Sequence, residues 1–359
     1  MGTIVARPRK DGTVGYTVQI KIKRGGKFVF SQAQTFDREA AAKAWMKRKE
    51  AELAKPGALE AAMKPKGTLF ETIEEYLRLS RKEIGKTKAQ VLETIQRHDI
   101  ASQPLSDIKS QDLVAWAKWL GESRKPQTVL NYVSHLSAVF TIARAAWGYD
   151  IDRNIMRDAT EAMKHFGITQ KSMKRERRPT VDEIDRLMVH FTDRSRRRHA
   201  APMHRIIAFA IFSSRRLAEI TRITWADLEE GRVMVRDMKN PGAKAGNDVW
   251  CSLVPEAEAI IHAMPKVAPE IFPFAGETIS TSFTRATALL GIDDLHFHDL
   301  RHEGASRLFE MGWTIPRAAE VTGHRSWQSL QRYSHLRQTG DKWAGWQWFP
   351  VISTPDAKH

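Results

Sequence analysis

Leu295-His296-Phe297-His298-Asp299-Leu300-Arg301-His302 is the stretch on which the reading of this chain turns. Three histidines and an arginine crowd into eight residues. His298 and Arg301, three apart, fall on one face of a helix. Twenty-two residues beyond His302 stands His324, in Thr322-Gly323-His324, and nine further on Tyr333, in Gln331-Arg332-Tyr333-Ser334-His335. Upstream, Ser213-Ser214-Arg215-Arg216-Leu217-Ala218-Glu219 follows an apolar helical run, and the paired serines mark a break there. Between the two clusters, Val233-Met234-Val235 and Trp250-Cys251-Ser252-Leu253 flank Asn240-Pro241-Gly242. They read as a β-hairpin with a long loop inserted among helices, with Lys239 at the end of its first strand. Thr180-Val181-Asp182-Glu183 opens the whole region with a capping-box start, and most of the chain from there to about residue 338 reads as helix.

These residue types are what phosphodiester transfer without a metal requires. Negative charge gathers on the non-bridging oxygens of a pentacoordinate transition state, and arginine, always charged and planar, donates two parallel hydrogen bonds to them. A nucleophile must attack phosphorus and a general acid must protonate the leaving oxygen. Singly, each residue has an ordinary reading: a surface arginine, a helix-face His–Arg pair, a core tyrosine, a solvated lysine. A metal reading also exists, because His298-Asp299-Leu300-Arg301-His302 resembles H-E-x-x-H with Asp for Glu. Against it, Arg301 would lie beside the cation and no third ligand stands at a familiar spacing.

The rest of the chain agrees in kind. Its 359 residues carry 57 Lys and Arg against 42 Asp and Glu, a formal +15, which points to a polyanionic partner through counterion release. The single cysteine, Cys251, excludes an intramolecular disulfide and argues for a reducing compartment. The apolar run Ile206 to Phe212 is far too short to span a membrane, and the basic Met1 to Lys10 has no apolar stretch behind it. The expectation is a cytoplasmic, nucleic-acid-binding protein with no membrane partner and no cofactor.

Residues 1–55 read as a separate module. Tyr16 to Lys23 alternates with period two, Arg24 to Lys27 turns, Lys27 to Phe36 makes a second strand, Thr3 to Arg7 an earlier one, and Asp37 caps a helix to about Ala54. The module holds 13 Lys and Arg against five Asp and Glu. That density favours a sheet laid into a DNA groove, with Lys21, Lys23, Arg24 and Lys27 as contact candidates. Residues 56–67 read as a linker. Residues 68–169 read as a bundle of four or five short helices, with apolar residues at helical spacing in Val129-Tyr132-Val133-Leu136-Val139-Phe140. Residues 170–179 form a basic linker, where Lys174, Arg175, Arg177 and Arg178 are candidates for backbone phosphates. The fold class is therefore mainly α with small β elements: a three-stranded sheet plus helix, a helical domain, and a mostly-α domain over 180–338 with a β-hairpin. Residues 339–359 form a tail in which Trp343, Trp346, Trp348 and Phe349 are costly to leave in water.

The pattern R-x-x-E, a hairpin lysine, H-x-L-R-H, G-H and Y resembles the tyrosine recombinase family, specifically phage-type integrases with an arm-binding N-terminal domain. The resemblance is specific in the last 180 residues and architectural before them. It implies that Arg216 and Arg301 clamp the scissile phosphate, that His298 and His324 contact or polarise it, that Tyr333 is the nucleophile and Lys239 the general acid. Lys244 is a rival for the lysine role, Glu219 matches a buttressing acid, and Ser213-Ser214 departs from the threonine-glycine common at that turn. It further implies a 3′-phosphotyrosyl intermediate and Holliday junction, integration or excision of a mobile element such as a phage in a bacterial nucleoid, and no metal. The implied partners are double-stranded DNA at core and arm-type sites, a homotetramer on DNA, and DNA-bending proteins from host or element. A C-terminal segment exchanged between subunits would dock the aromatic tail in trans; packing on its own domain is the competitor. The alternatives are a DNA-binding regulator of similar architecture without catalysis, or a type IB topoisomerase-like enzyme.

Overall fold

The alternation in Tyr16 to Lys23 becomes the central strand of an antiparallel sheet. In the computed structural model, which describes residues 2–9, 13–25, 27–63, 67–80, 84–173, 175–195, 200–238 and 246–355, strands β1 (Gly2–Pro8), β2 (Val14–Arg24) and β3 (Lys27–Phe36) pair in the order β1-β2-β3. Ile4 faces Val18 and Tyr16 faces Phe36, with a register shift at Ile22/Lys23. Val18 and Ile20 are buried with Ala42 and Leu53 of α1 (Glu39–Leu53), while Lys21, Lys23 and Arg24 are exposed. Asp37 does not cap the helix: Arg38 takes that position, and Asp37 instead pairs with Arg9 at 2.7 Å. Part of the expected linker is also structured. Helix α2 (Ala58–Met63) buries Leu59 in the same small core, which extends the module beyond residue 55.

The helical segment is built from α3 (Leu69–Leu79), α4 (Lys86–Gln96), a 3-10 turn (Asp99–Ser102), α5 (Ser110–Gly121), α6 (Pro126–Trp147) and α7 (Ile155–His165). Thr68 and Glu71 cap α3 reciprocally. Helix α6 is not short. It runs 22 residues because Pro126 starts it, Gly148 ends it in the left-handed region, and no breaker intervenes. Its stripe of Val129, Val133, Leu136, Phe140 and Ala143 is buried against Leu69, Leu92 and Leu113. These elements belong to one compact unit, residues 1–173, and residues 174–359 form a second.

The second unit begins at α8 (Val181–Ser195), whose predicted capping box is present: the Thr180 N–H donates to Glu183 at 2.8 Å and the Glu183 N–H to Thr180 Oγ1 at 3.1 Å. Then come α9 (Met203–Ser213), α10 (Leu217–Ile220), strands β4 (Leu228–Glu229), β5 (Arg232–Val235) and β6 (Val249–Ser252), α11 (Pro255–His262), α12 (Gly276–Leu289), α13 (Phe297–Glu310), α14 (Ile315–Thr322), 3-10 turns at Trp327–Ser329 and Gln331–Tyr333, and α15 (Phe349–Ser353). The expected hairpin gains β4 as a third strand, in the order β4-β5-β6.

Helices α9 and α13 make the heart of the unit. Every residue of α9 is buried, and α13 is buried on nearly all sides, charged residues included. Their backbones meet at Gly304, where a Cβ would overlap the carbonyl of Ile211, so glycine is required by space. The aromatic tail packs on its own domain. Trp343 and Trp346 are buried in the same core, Trp346 donates to Asp185 at 2.7 Å and Trp343 to Glu303 at 3.1 Å. Asp341 anchors the approach through two bonds from Arg307, at 2.8 and 2.6 Å. Among the described residues no helix is long and apolar enough to cross a membrane.

Candidate active site

Four helix ends bring the positive charges together. Helix α9 stops at Ser214, which adopts φ 52° in the left-handed region, and Arg215 and Arg216 follow in the turn that leads into α10. Arg216 starts α10 and bonds Glu219 one turn on, Nη1 to Oε1 at 2.7 Å, while its N–H donates to Oε2 at 3.0 Å. Arg301, on α13, donates to the Ser214 carbonyl and, at 3.2 Å, to that of Thr322 at the end of α14. It lies 3.6 Å from Glu219. Gly323 ends α14 at φ 69°, and a Cβ there would strike Met238 and crowd Arg215. The fully buried Arg215 donates to the Ser213 carbonyl at 3.0 Å, to Cys251 Sγ at 2.9 Å and to the Val321 carbonyl.

The electrostatics are those of an anion seat. Burial opposes ionisation of Glu219, but Arg215, Arg301 and Arg216 outweigh it and hold the carboxyl below its ordinary range. Burial and the two neighbouring arginines push Arg301 down to about 9, which still leaves it charged at neutral pH. Three guanidiniums against one carboxylate leave an excess of about two positive charges in a dry setting, suited to a phosphate. His324 closes this group. Its Nε2 lies 3.1 Å from Arg301 Nη2 and its Nδ1 2.8 Å from Thr322 Oγ1. Burial and the arginines push it down to about 3, so the ring is neutral: Nε2 accepts from Arg301 and Nδ1–H donates to the threonine.

Tyr333 sits in the last 3-10 turn with its ring 5.9 Å from that of Phe309 and nearly parallel to it. Burial raises its pKa, opposed by Arg332, Arg301 and Arg178. Its hydroxyl is 2.6 Å from Nδ1 of His302. His298 is exposed on the first turn of α13 and packs edge-on against His302, ring centres 5.0 Å apart. Among the described residues, no group of three or more His, Cys, Asp or Glu is placed to hold a metal ion. Arg216, His298, Arg301, His324 and Tyr333 therefore all belong to one neighbourhood of the second unit. Lys239 and its rival Lys244 lie outside the described residues.

The residues expected to touch DNA divide sharply. Lys21 and Lys23 stand exposed on β2 and lean over the exposed ring of Phe28, at 5.9 and 4.4 Å from its centre. Arg24 is exposed at the end of that strand, and the Lys27 side chain and Lys174 lie outside the described set. The linker arginines are engaged inward. Arg175 bonds Asp299 at 2.6 and 2.7 Å and Asp294 at 2.9 Å, Arg177 bonds Glu183, and Arg178 reaches Glu303 at 2.7 Å and Glu310 at 2.7 Å. Asp299 and Glu303 are fully buried, and an uncompensated buried carboxylate costs several kcal/mol, so these arginines serve the fold before any phosphate.

Residues 270–339, which carry four of these five side chains, match the phage integrase family. A shufflon-specific DNA recombinase of Escherichia coli is 30% identical over 276 residues, covering 74% of this chain; the chain spans 65% of that protein's length. A Haemophilus influenzae integrase/recombinase is 26% identical over 74% of this chain and 85% of its own. Residues 270–339 thus carry a phage integrase domain, and about three quarters of the chain is similar to these recombinases. Solved integrases share its fold. A lambda integrase dimer bound to a COC′ core site superposes with a TM-score of 0.60 at 20% identity, covering 96% of both chains. A Tn1549 transposon integrase bound to transposon right end DNA gives 0.59 at 15% identity, over 75% of this chain and 95% of that one.

Within this fold, four residues to which sequence reasoning gave no part in phosphodiester chemistry stand beside the site: His302 on the tyrosine, Arg215 beneath the arginines, and Asp299 and Glu303 under the linker. Their signal was present. Arg215 adjoins Arg216 and the two acids sit on the same short helix as Arg301, but an i, i+3 spacing does not say which face is buried when nearly every face is.

Proposed function

We propose that this protein is a site-specific DNA recombinase that cuts and rejoins duplex DNA through a covalent bond between phosphorus and Tyr333. The observation that carries the reading is the grouping of Arg216, Arg301 and His324 around one dry, positively charged seat with a single buried tyrosine in electrostatic reach of Arg301. The arginines bind the non-bridging oxygens and stabilise the charge that develops there. The tyrosine oxygen displaces the 5′-oxygen of the scissile phosphate, which leaves with a proton from a general acid; His298, exposed at the mouth, and Lys239 are the candidates. The bond energy is retained in the phosphotyrosyl link, so rejoining needs neither ATP nor a metal.

In this reading the sheet module, with its exposed Lys21 and Lys23, binds a second arm-type DNA element, the helical segment 68–169 and the second unit bind the core site, and four copies act on two duplexes to integrate or excise a mobile element in the bacterial cytoplasm. The solved lambda integrase tetramer on a Holliday junction supports that assembly by analogy of fold. Junctions sequenced from cells expressing the protein define the core site, and nicked duplexes of that sequence then trap the intermediate. The wild type should yield a covalent adduct on Tyr333, in EDTA as well as without it. Tyr333→Phe should bind equally and form none. An adduct on Tyr16 or Tyr132, or one that requires a restored divalent ion, defeats the proposal.

A further inference from the structure

The contact between His302 and Tyr333 takes no part in binding the phosphate. His302 is on the turn of α13 that follows His298 and Arg301, and its Nδ1 is 2.6 Å from the phenolic oxygen. That geometry is a short hydrogen bond to the attacking atom itself. The stack of Tyr333 on Phe309, further along the same helix, fixes the ring so that the hydroxyl meets the imidazole. Resting on Tyr333 as the nucleophile, we propose that His302 is a further catalytic residue, the base that orients the phenol and accepts its proton as the tyrosine oxygen bonds to phosphorus.

The surroundings suit that role. Desolvation, His298 and Arg332 push His302 down to about 4, with Arg301 acting the same way and Asp299 opposing. Arg175 and Arg178 of the linker and His335 beyond the tyrosine line the adjoining recess. At neutral pH the ring is therefore uncharged, with Nδ1 free to accept if the proton is on Nε2. In the resting site the phenol keeps its proton, since burial holds it above its ordinary range. A bound phosphate changes the balance: its negative charge, growing in the transition state, offsets the arginines that disfavour an imidazolium. As the oxygen–phosphorus bond forms, the phenolic proton passes to Nδ1. The phosphorus–5′-oxygen bond breaks and that oxygen is protonated by the separate acid. In rejoining, the imidazolium returns the proton to the departing tyrosine. His302 and the leaving-group acid are thus two different groups, one on each side of phosphorus.

Single-turnover cleavage of the nicked duplex by the full chain tests this. His302→Asn keeps an amide near the position of Nδ1 but cannot take up a proton. It should bind the duplex as the wild type does and cleave about a hundredfold slower or worse at pH 7. The wild-type rate should be flat between about pH 6 and 8, whereas that of His302→Asn should climb about tenfold per pH unit, because hydroxide must supply the base. A bridging sulfur in place of the 5′-oxygen, which leaves without an acid, should not restore the variant. Independently of any variant's folding, nitrogen NMR of the histidine-labelled wild type should show His302 with its proton on Nε2, and its signal should shift in Tyr333→Phe. Cleavage by His302→Asn within about threefold of wild type, a slow but pH-flat rate, rescue by sulfur, or a proton resident on Nδ1 each overturns the proposal. If the wild type forms its adduct on Tyr333 while any of these holds, only the role of His302 falls; if it forms none there, the nucleophile assignment falls with it.

Discussion

On the sheet module, Lys21 and Lys23 stand in solvent against the ring of Phe28, whereas in the second unit Arg175, Arg178, Arg301 and Arg307 are folded against carboxylates and carbonyl oxygens. Both regions are rich in cations, yet they use them differently. An exposed lysine attracts a phosphate by releasing counterions, and its effect fades with salt. A buried arginine already has its water removed and its direction fixed, so it stabilises a charge that appears at one point without reorganising. Under the proposed function, the same residue class supplies affinity in one place and architecture with chemistry in the other.

The largest effect should come from breaking the buried pairings. Glu303 is fully buried and takes Arg178 at 2.7 Å, Lys342 at 3.1 Å and the Trp343 indole at 3.1 Å, so it joins linker, helix and tail. Glu303→Ala should cost about 3–5 kcal/mol, because two cations lose a buried partner. Ending the chain after Leu336 should do at least as much, since Trp343 and Trp346 leave the core and each large-to-small change of a buried tryptophan costs about 3–5 kcal/mol. Thermal unfolding of the second unit reads both. If the truncated chain melts like the whole one, the tail is not part of this core.

An intermediate effect should follow pH. His302 and His324 are held neutral in the folded unit, at about 4 and about 3, while in the unfolded chain each protonates near 6.5. Below that value the unfolded state takes up protons that the folded state refuses. The stabilisation is therefore complete above about pH 6.5 and drains as the pH falls towards 4. Glu219, held below its ordinary range, adds to the loss at the acid end. The sheet module has no histidine, the first in the chain being His98, and should not share the decline. Melting curves at about pH 7.5 and 5 separate the two; a second-unit transition indifferent to that change contradicts neutral, buried rings.

The smallest effect should come from the exposed lysines. Lys21→Ala with Lys23→Ala should leave the melting transitions within about 0.5 kcal/mol and cleavage of a core duplex unchanged. Binding to an arm-type element should weaken, and the slope of log affinity against log salt should fall by about two. An unchanged slope would mean that this face of β2 does not meet DNA.

These contrasts also explain which features were legible in the sequence. The strands of the module and the capping box at Thr180 follow from local rules of alternation and hydrogen bonding, which a sequence displays directly. The grouping of Arg216, Arg301, His324 and Tyr333 was legible through a resemblance, because their order along the chain is distinctive even though they are spread over more than a hundred residues. The linker misled. Arg175, Arg177 and Arg178 look like any solvated basic run. Asp299, Glu303 and Glu310, which hold two of them, are over a hundred residues away, so nothing local reveals the pairing. Asp37 misled for a similar reason, since Arg9 claims it across the sheet module. His302 was weighed only as a metal partner of His298, because the side chain that gives it meaning, Tyr333, is brought to it by a turn of structure and not by spacing.

At Gly304 no atom beyond the backbone fits between α9 and α13, so the gap separating Ser214 from Arg301 is set by main chain against main chain. On the proposed reading, the jaw of the phosphate seat is in effect machined to a fixed gauge by this crossing, whatever apolar side chains fill the remainder of the core. A fold held this way can drift widely in its apolar side chains without changing the distance between those two helices at this crossing.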